Sequence, residues 1–169
     1  IRDWSVSELR RLRKDMQIVF QDPFGSLSPR MTCMQIIAEG LGVHGVEDGR
    51  PMRDAVSEVM LETGLDPTTM DRYPHEFSGG QRQRVALARA LVKRASLYVL
   101  DDCLSAVDAD TERQIIDHVS RWLKDATAIV VAHRIAPLRM ADRIIVLEEG
   151  VITDIGTHEE LLLRCDYYR

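Results

Sequence analysis

Short apolar runs at 97–100, 128–132 and 143–147, with helical stretches between them, constrain this chain more than any other feature. Runs of that length suit buried strands, and strands that alternate with helices predict a parallel sheet of α/β type. The helix between the first two runs is amphipathic, with Ile115, Ile116, Val119, Trp122 and Leu123 on one face. A fourth strand is predicted at 17–20, where an apolar run ends at Gln21-Asp22-Pro23. The segment 5–14 reads as a short basic helix or turn, and 25–29 as a loop.

Between that early strand and residue 97 the texture is helical. A helix is expected from about Met34, interrupted by the glycine-rich polar segment 40–51. Another covers 54–63 with Ala55, Val56, Val59 and Met60 on one face. A loop around Asp66-Pro67 leads to Tyr73-Pro74-His75-Glu76, and a strong helix follows Gly80 to about Lys93, carrying Val85, Leu87, Ala88 and Leu91. The organisation this predicts is an α/β core formed by 1–27 and 95–169, with a helical subdomain inserted at 28–94.

A chain of 169 residues fits one such domain and can bury a sizeable core. Its net charge of −5 argues against a general nucleic-acid surface, which needs an excess of Lys and Arg. The three cysteines, Cys33, Cys103 and Cys165, are odd in number and form no C-x-x-C pair. That argues against a disulfide framework or a zinc site and favours a reducing cytosol. No apolar run approaches the roughly 18–20 residues of a membrane-spanning helix. If the protein serves a membrane, something else holds it there. The chain opens on Ile1-Arg2-Asp3-Trp4 with no cap or strand leading in, and reads as part of a longer protein.

Several residues at the predicted strand ends and helix starts can carry chemistry. The run 97–100 closes on Asp101 and Asp102, and a buried strand ending in a carboxylate presents an acid to magnesium at the edge that faces a nucleotide's phosphates. Asp101 would hold the ion, and Asp102 would face the water attacking the terminal phosphate. A strand ending in a plain polar turn is the competing reading. Phe77-Ser78-Gly79-Gly80-Gln81 opens a helix: Ser78 can cap it, and the glycines let N–H groups approach an anion. An ordinary N-cap would look similar, but Arg82 and Arg84 add positive charge where the helix dipole disfavours it, which makes better sense beside a phosphate. His133, closing 129–132, can hydrogen-bond a terminal phosphate or be structural. Gln21 can coordinate magnesium, position water, or simply be solvated.

Taken together these segments resemble the ATP-binding domain of ABC transporters. Gln21 in Val19-Phe20-Gln21-Asp22-Pro23 is similar to the Q-loop. Phe77-Ser78-Gly79-Gly80-Gln81 is similar to the signature motif, with Phe for the common Leu. The run ending in Asp101 resembles the Walker B strand, Ser105-Ala106-Val107-Asp108 the D-loop, and His133 the switch histidine. Five motifs in the family's order span nearly the whole chain. The resemblance implies ATP and Mg2+ as ligands, with Gln21, Asp101, Asp102 and His133 at one nucleotide. Ser78, Gly79, Gly80 and Gln81 would act on the nucleotide of a facing second ATPase domain, alike or unlike, with Asp108 at the interface. It also implies transmembrane transporter domains as partners, a place at the cytoplasmic face of the inner membrane, and no nucleic acid.

The chain departs from the family in three ways. Walker A, G-x-x-x-x-G-K-[ST], does not occur: Gly40 to Gly45 is the only spacing of that kind, and Val46 follows it. In the family that strand and an antiparallel sheet come before the Q-loop, so the sheet of this chain alone is expected to be incomplete and its own turnover negligible. Asp102 stands where the family usually has Glu, one methylene longer, and small misplacements are expensive in catalysis. Finally, 19–31 and 73–91 resemble oligopeptide and dipeptide importers, whereas the sequence from about Ala95 onward resembles exporters, leaving the direction of transport open. A P-loop-less module that lends its signature to a partner's ATP is the alternative to a hydrolysing domain. An ABC-type ATPase acting on translation or DNA is disfavoured by the transporter-like wording and the absence of basic or coiled-coil segments.

Overall fold

The computed structural model describes residues 3–22, 25–44, 49–105 and 107–169. Pro23, Phe24, Gly45, Val46 and Ala106, named above within motifs, lie outside the described residues, as do Ile1 and Arg2 and the side chain of Trp122. The chain divides into two compact units, 1–131 and 132–169.

In the first unit, helix α1 (Val6–Asp15) starts on a capping box: Ser5 accepts from the Glu8 N–H while the Glu8 carboxylate accepts from the Ser5 N–H. Strand β1 (Met16–Val19) follows directly. Helices α2 (Cys33–His44), α3 (Met52–Glu62) and α4 (Gly79–Leu91) come next. Then come β2 (Leu97–Asp101), α5 (Ala109–Trp122) and β3 (Thr127–Val131). The sheet order is β1-β2-β3, and both pairings are parallel, with Val19 opposite Leu100 and Asp101 opposite Val131.

The apolar faces read from the sequence are the ones that pack. On α3, Ala55, Val56, Val59 and Met60 are buried. On α4, Val85, Leu87, Ala88 and Leu91 are buried, and this helix lies against α2, α3 and β1. On α5, Ile115, Val119 and Leu123 are buried and Ile116 is partly so. Tyr98 brings a polar tip into this core and satisfies it by donating to the Lys93 carbonyl at 3.1 Å and accepting from the Ala95 N–H at 3.0 Å.

Two expectations are corrected. The helix from Met34 does not stop at Gly40 but runs to His44. Leu41, 4% exposed, continues the buried stripe of Cys33, Ile36, Ile37 and Ala38, and that burial outweighs two weak helix formers. The run 143–147 forms β4 (Ile144–Glu148), which does not join the parallel sheet; it pairs antiparallel with β5 (Val151–Gly156) in the second unit. Glu149 and Gly150, at φ 49 and 80, make the two-residue turn that folds one apolar run back on the other. In that unit α6 (Ile135–Leu138) precedes the hairpin. Helix α7 (His158–Arg164), opened by a Thr157–Glu160 capping box, closes a core of Ile144, Val146, Leu161 and Cys165.

Candidate nucleotide site

Parallel strands bring their C-terminal ends to one edge, and here that edge carries Gln21, Asp101 and Asp102. Asp101 is the last residue of β2 and is half-buried. Asp102 leaves the strand with φ 43, a left-handed conformation that Asp adopts more readily than most residues. Its N–H donates to the Val131 carbonyl at 2.8 Å, so the turn is tied to the end of β3. The Gln21 amide Nε2 reaches the Asp102 Oδ2 at 3.5 Å across 81 residues of sequence.

The donors at this edge suit a magnesium–nucleotide. Mg2+ takes oxygen ligands, usually one or two carboxylates plus substrate phosphates. With Nε2 turned to Asp102, the Gln21 Oε1 is an acceptor beside the Asp102 carboxylate. Cysteine chemistry has no place here: burial pushes the Cys103 thiol up to about 12, and the Cys33 thiol likewise.

The start of α4 is built as the sequence indicates. Ser78 is the N-cap, its hydroxyl accepting from the Gln81 N–H at 3.3 Å, and the Gln81 Oε1 accepts from the Ser78 N–H at 2.9 Å. Phe77 is buried beneath it. A Cβ built on Gly79 would meet nothing within 4 Å, so no packing among the described residues calls for glycine there. The arginines that follow are engaged on main chain. Arg82 Nε donates to the Pro74 carbonyl at 2.8 Å, and Arg84 Nη1 donates to the Gly64 carbonyl at 2.7 Å. Burial lowers the Arg84 pKa, and the Asp108 carboxylate nearby opposes that shift. Bracing of the neighbouring loops thus gives these charges a reason to sit in the first turns besides a phosphate.

Asp108 is the N-cap of α5: its Oδ1 accepts from the Thr111 N–H at 2.9 Å, and that bond holds its carboxyl below the ordinary range. His133 belongs to the second unit, where it lies exposed between β3 and α6. The first unit therefore brings Gln21, Asp101 and Asp102 to one edge, and His133 is described with the second.

One link was missed in the sequence. Gln83 is 3% exposed, and its Nε2 donates to the Ser105 Oγ at 3.2 Å. The Ser105 hydroxyl donates in turn to the Asp102 carbonyl at 3.0 Å. The available signal was position: Gln83 precedes the buried Leu87 by one helical turn, so it falls on the apolar face of α4, where a buried amide requires partners.

A parallel strand edge carrying carboxylates and a capped glycine-rich helix belong to an α/β protein, and comparison with known proteins narrows the class. The family described as ABC transporter matches residues 1–105, and the chain belongs to that family. It is 41% identical over 169 residues to the peptidoglycan transport ATP-binding protein YejF of Agrobacterium fabrum, covering 95% of this chain and 30% of that protein. It is 39% identical over 160 residues to the oligopeptide transport ATP-binding protein OppF of Salmonella typhimurium, covering 92% and 48%. The fold superposes with TM-score 0.81 on the dimeric ATP-binding cassette MJ0796 in a post-hydrolysis state with ADP and Pi, at 27% identity, covering 92% of this chain and 68% of that one. The chain spans about half or less of the length of these curated relatives.

Proposed function

We propose that this chain is part of the ATP-binding and hydrolysing component of an ABC transporter, working at the cytoplasmic face of a membrane and coupling closure of two ATPase domains to transport. The approach of Gln21 to Asp102 at the C-terminal edge of the parallel strands carries this reading. Mg2+-ATP, when bound, supplies the anhydride to be cleaved and the ion that screens its charge. Asp101 and the Gln21 Oε1 offer the oxygens that would hold that ion. Asp102, anchored at Oδ2 by Gln21, keeps Oδ1 to accept a hydrogen bond from water and orient it. As an aspartate it reaches less far than the usual glutamate, which implies slow turnover at this position. His133 would contribute a hydrogen bond to the terminal phosphate.

The signature residues Ser78, Gly79, Gly80 and Gln81 would act in trans. Glycine in a helix costs about 1 kcal/mol relative to alanine, and Gly79 has open space where a side chain would lie. An N–H-lined helix start with free approach suits an anion on a facing domain. Relatives named as peptide and oligopeptide transport proteins favour peptides as cargo. Helices α2–α4 would form the subdomain 28–94 that passes closure to the transmembrane domains. One other reading rests on the open start of α4 alone: a module that lends its signature to a partner's ATP without hydrolysing its own.

In an assembled transporter, Ser78→Arg should abolish ATP hydrolysis at the facing site while leaving nucleotide binding to each separate domain unchanged. Unaltered turnover in that variant would remove the trans role. Titration of the separated chain and the assembled pair with a fluorescent ATP analogue divides the two readings. Binding that arises only on the partner's site favours the lending module.

A further inference from the structure

Asp102 holds a left-handed conformation outside any glycine, so the surrounding bonds must hold it there. Three do so along the main chain. Its N–H donates to Val131, and its carbonyl accepts both the Ser105 N–H at 3.3 Å and the Ser105 hydroxyl at 3.0 Å. A hydroxyl has a single proton, and this one is committed to the Asp102 carbonyl. The Ser105 oxygen is then left to accept, and it accepts from the buried Gln83 amide. The chain of donors thus runs one way, from the Gln83 N–H through Ser105 to the Asp102 carbonyl.

We propose that Gln83 is a positioning residue for Asp102: through Ser105 it fixes the left-handed turn that aims the Asp102 carboxylate at Gln21. Gln83 lies one turn beyond the Ser78–Gln81 start of α4, on the same rigid helix. On the functional reading above, on which this inference rests, that helix start touches the partner's nucleotide while Asp102 serves the nucleotide of its own domain. The two sites are then joined inside one chain by two hydrogen bonds, and displacement of α4 reaches the acid by a path of two side chains.

The test is a double-mutant cycle in the full-length protein assembled with its partner, using Gln83→Met, Ser105→Ala and the pair. Gln83→Met keeps the side-chain length in the core and removes the amide, donor and acceptor together. Each single variant should lower kcat about tenfold with KM unchanged, and the double should fall no further than the lower single, since both cut the same link. Gln83→Glu should resemble Gln83→Met at neutral pH. Its carboxylate would accept the Ser105 proton and take it from the Asp102 carbonyl. Amide exchange at Asp102 and Ser105, which needs no turnover, should accelerate about tenfold in both single variants and no more in the double. Additive losses, a change in KM alone, or exchange rates equal to those of the unaltered protein would overturn the proposal. Failure of the unaltered assembly to hydrolyse ATP would overturn the functional reading instead, and the exchange cycle would still decide whether Gln83 holds Asp102. If Gln83→Met does not fold, Gln83→Glu takes its place in the cycle, and Ser105→Ala, on the surface, still reads kcat and exchange at Asp102 on its own.

Discussion

Gly64 ends α3 in a way that makes its replacement measurable. Its N–H donates to the Leu61 carbonyl at 3.0 Å and the Leu65 N–H to the Met60 carbonyl at 2.7 Å, the two bonds of a Schellman motif. Leu65 and Met60, both buried, supply the apolar contact that accompanies it. The motif needs a left-handed residue, and Gly64 sits at φ 71. A Cβ there would lie 3.2 Å from the Arg84 Nη1, which is held at 2.7 Å on the Gly64 carbonyl. Gly64→Ala therefore meets a left-handed penalty of about 1–2 kcal/mol. The crowded guanidinium adds to that, and reduced freedom of the unfolded chain returns about 0.4–1 kcal/mol. The net is a loss of about 1–2 kcal/mol, or roughly 3–6 °C in Tm for a chain of this size. Gly42 provides the opposite sign: it is helical, not left-handed, with nothing within 4 Å of a built Cβ. Gly42→Ala should gain about 0.5–1 kcal/mol. Urea unfolding of both variants against the parent, read as midpoint shifts at constant slope, is the assay. A neutral or stabilising Gly64→Ala, with Gly42→Ala behaving as stated, would refute the argument from backbone conformation.

Two further outcomes follow from the same structure. Ile115 is fully buried on α5, so Ile115→Ala should cost about 2–5 kcal/mol in the same urea assay, with the spread set by how far the site collapses. Four carboxyls are held below the ordinary range: Glu8 by its hydrogen bonds from Ser5, Asp66 by its hydrogen bond from Thr68, Asp108 by the Thr111 N–H, and Asp154 by the Arg164 guanidinium. A depressed folded pKa gives stability that is fully present above the unfolded value of about 3.9 and is lost as pH falls through the folded value. Urea midpoints should therefore decline below about pH 4, and Asp108→Asn, which can still cap α5 but carries no charge, should flatten that decline by lowering the neutral-pH midpoint toward the acid one.

The elements that were legible in the sequence are those with period and punctuation. Helix α3 could be read because Ala55, Val56, Val59 and Met60 mark one face, and α4 because Ser78 and the glycines announce its start. The strands of the apolar runs were legible, displaced by a single residue at β1, β3 and β4. Register and partner were not, because periodicity says which residues are buried and not which strand lies beside them. The hairpin of the second unit was overlooked although Glu149-Gly150 between β-branched runs is a turn signal. Of the candidate site, Asp101, Asp102 and Gln21 could be named from strand ends. The left-handed turn at Asp102 and the bond from Gln83 could not, since both arise from tertiary neighbours. Arg82 and Arg84 show the converse. Sequence suggested a phosphate beside them, and folding supplies the Pro74 and Gly64 carbonyls.

The sheet itself shows where the folding logic of these residues remains unfinished. Parallel strands are ordinarily covered on both faces, and their sequences are correspondingly apolar throughout. On β1 and β2 one face meets that rule, with Val19, Tyr98 and Leu100 buried, whereas no residue of β3 is fully buried. On the other face, Ile18, Val99 and Ile129 lie in register, and Ile18 and Ile129 are 36% and 52% exposed, with Phe20 and Val131 at 56% and 46% further along. At about 25 cal/mol per Å2, leaving several large apolar side chains in water forfeits several kcal/mol, comparable to the whole stability of an ordinary domain. A sequence does not place Ile18, Ile129 and Val131 on strands, and Phe20 just beyond one, to face water. Their composition is that of a sheet interior, and it matches a chain that spans only part of its relatives' length. Apolar runs alone identified these strands so readily because each run carries more apolar positions than are buried among the described residues.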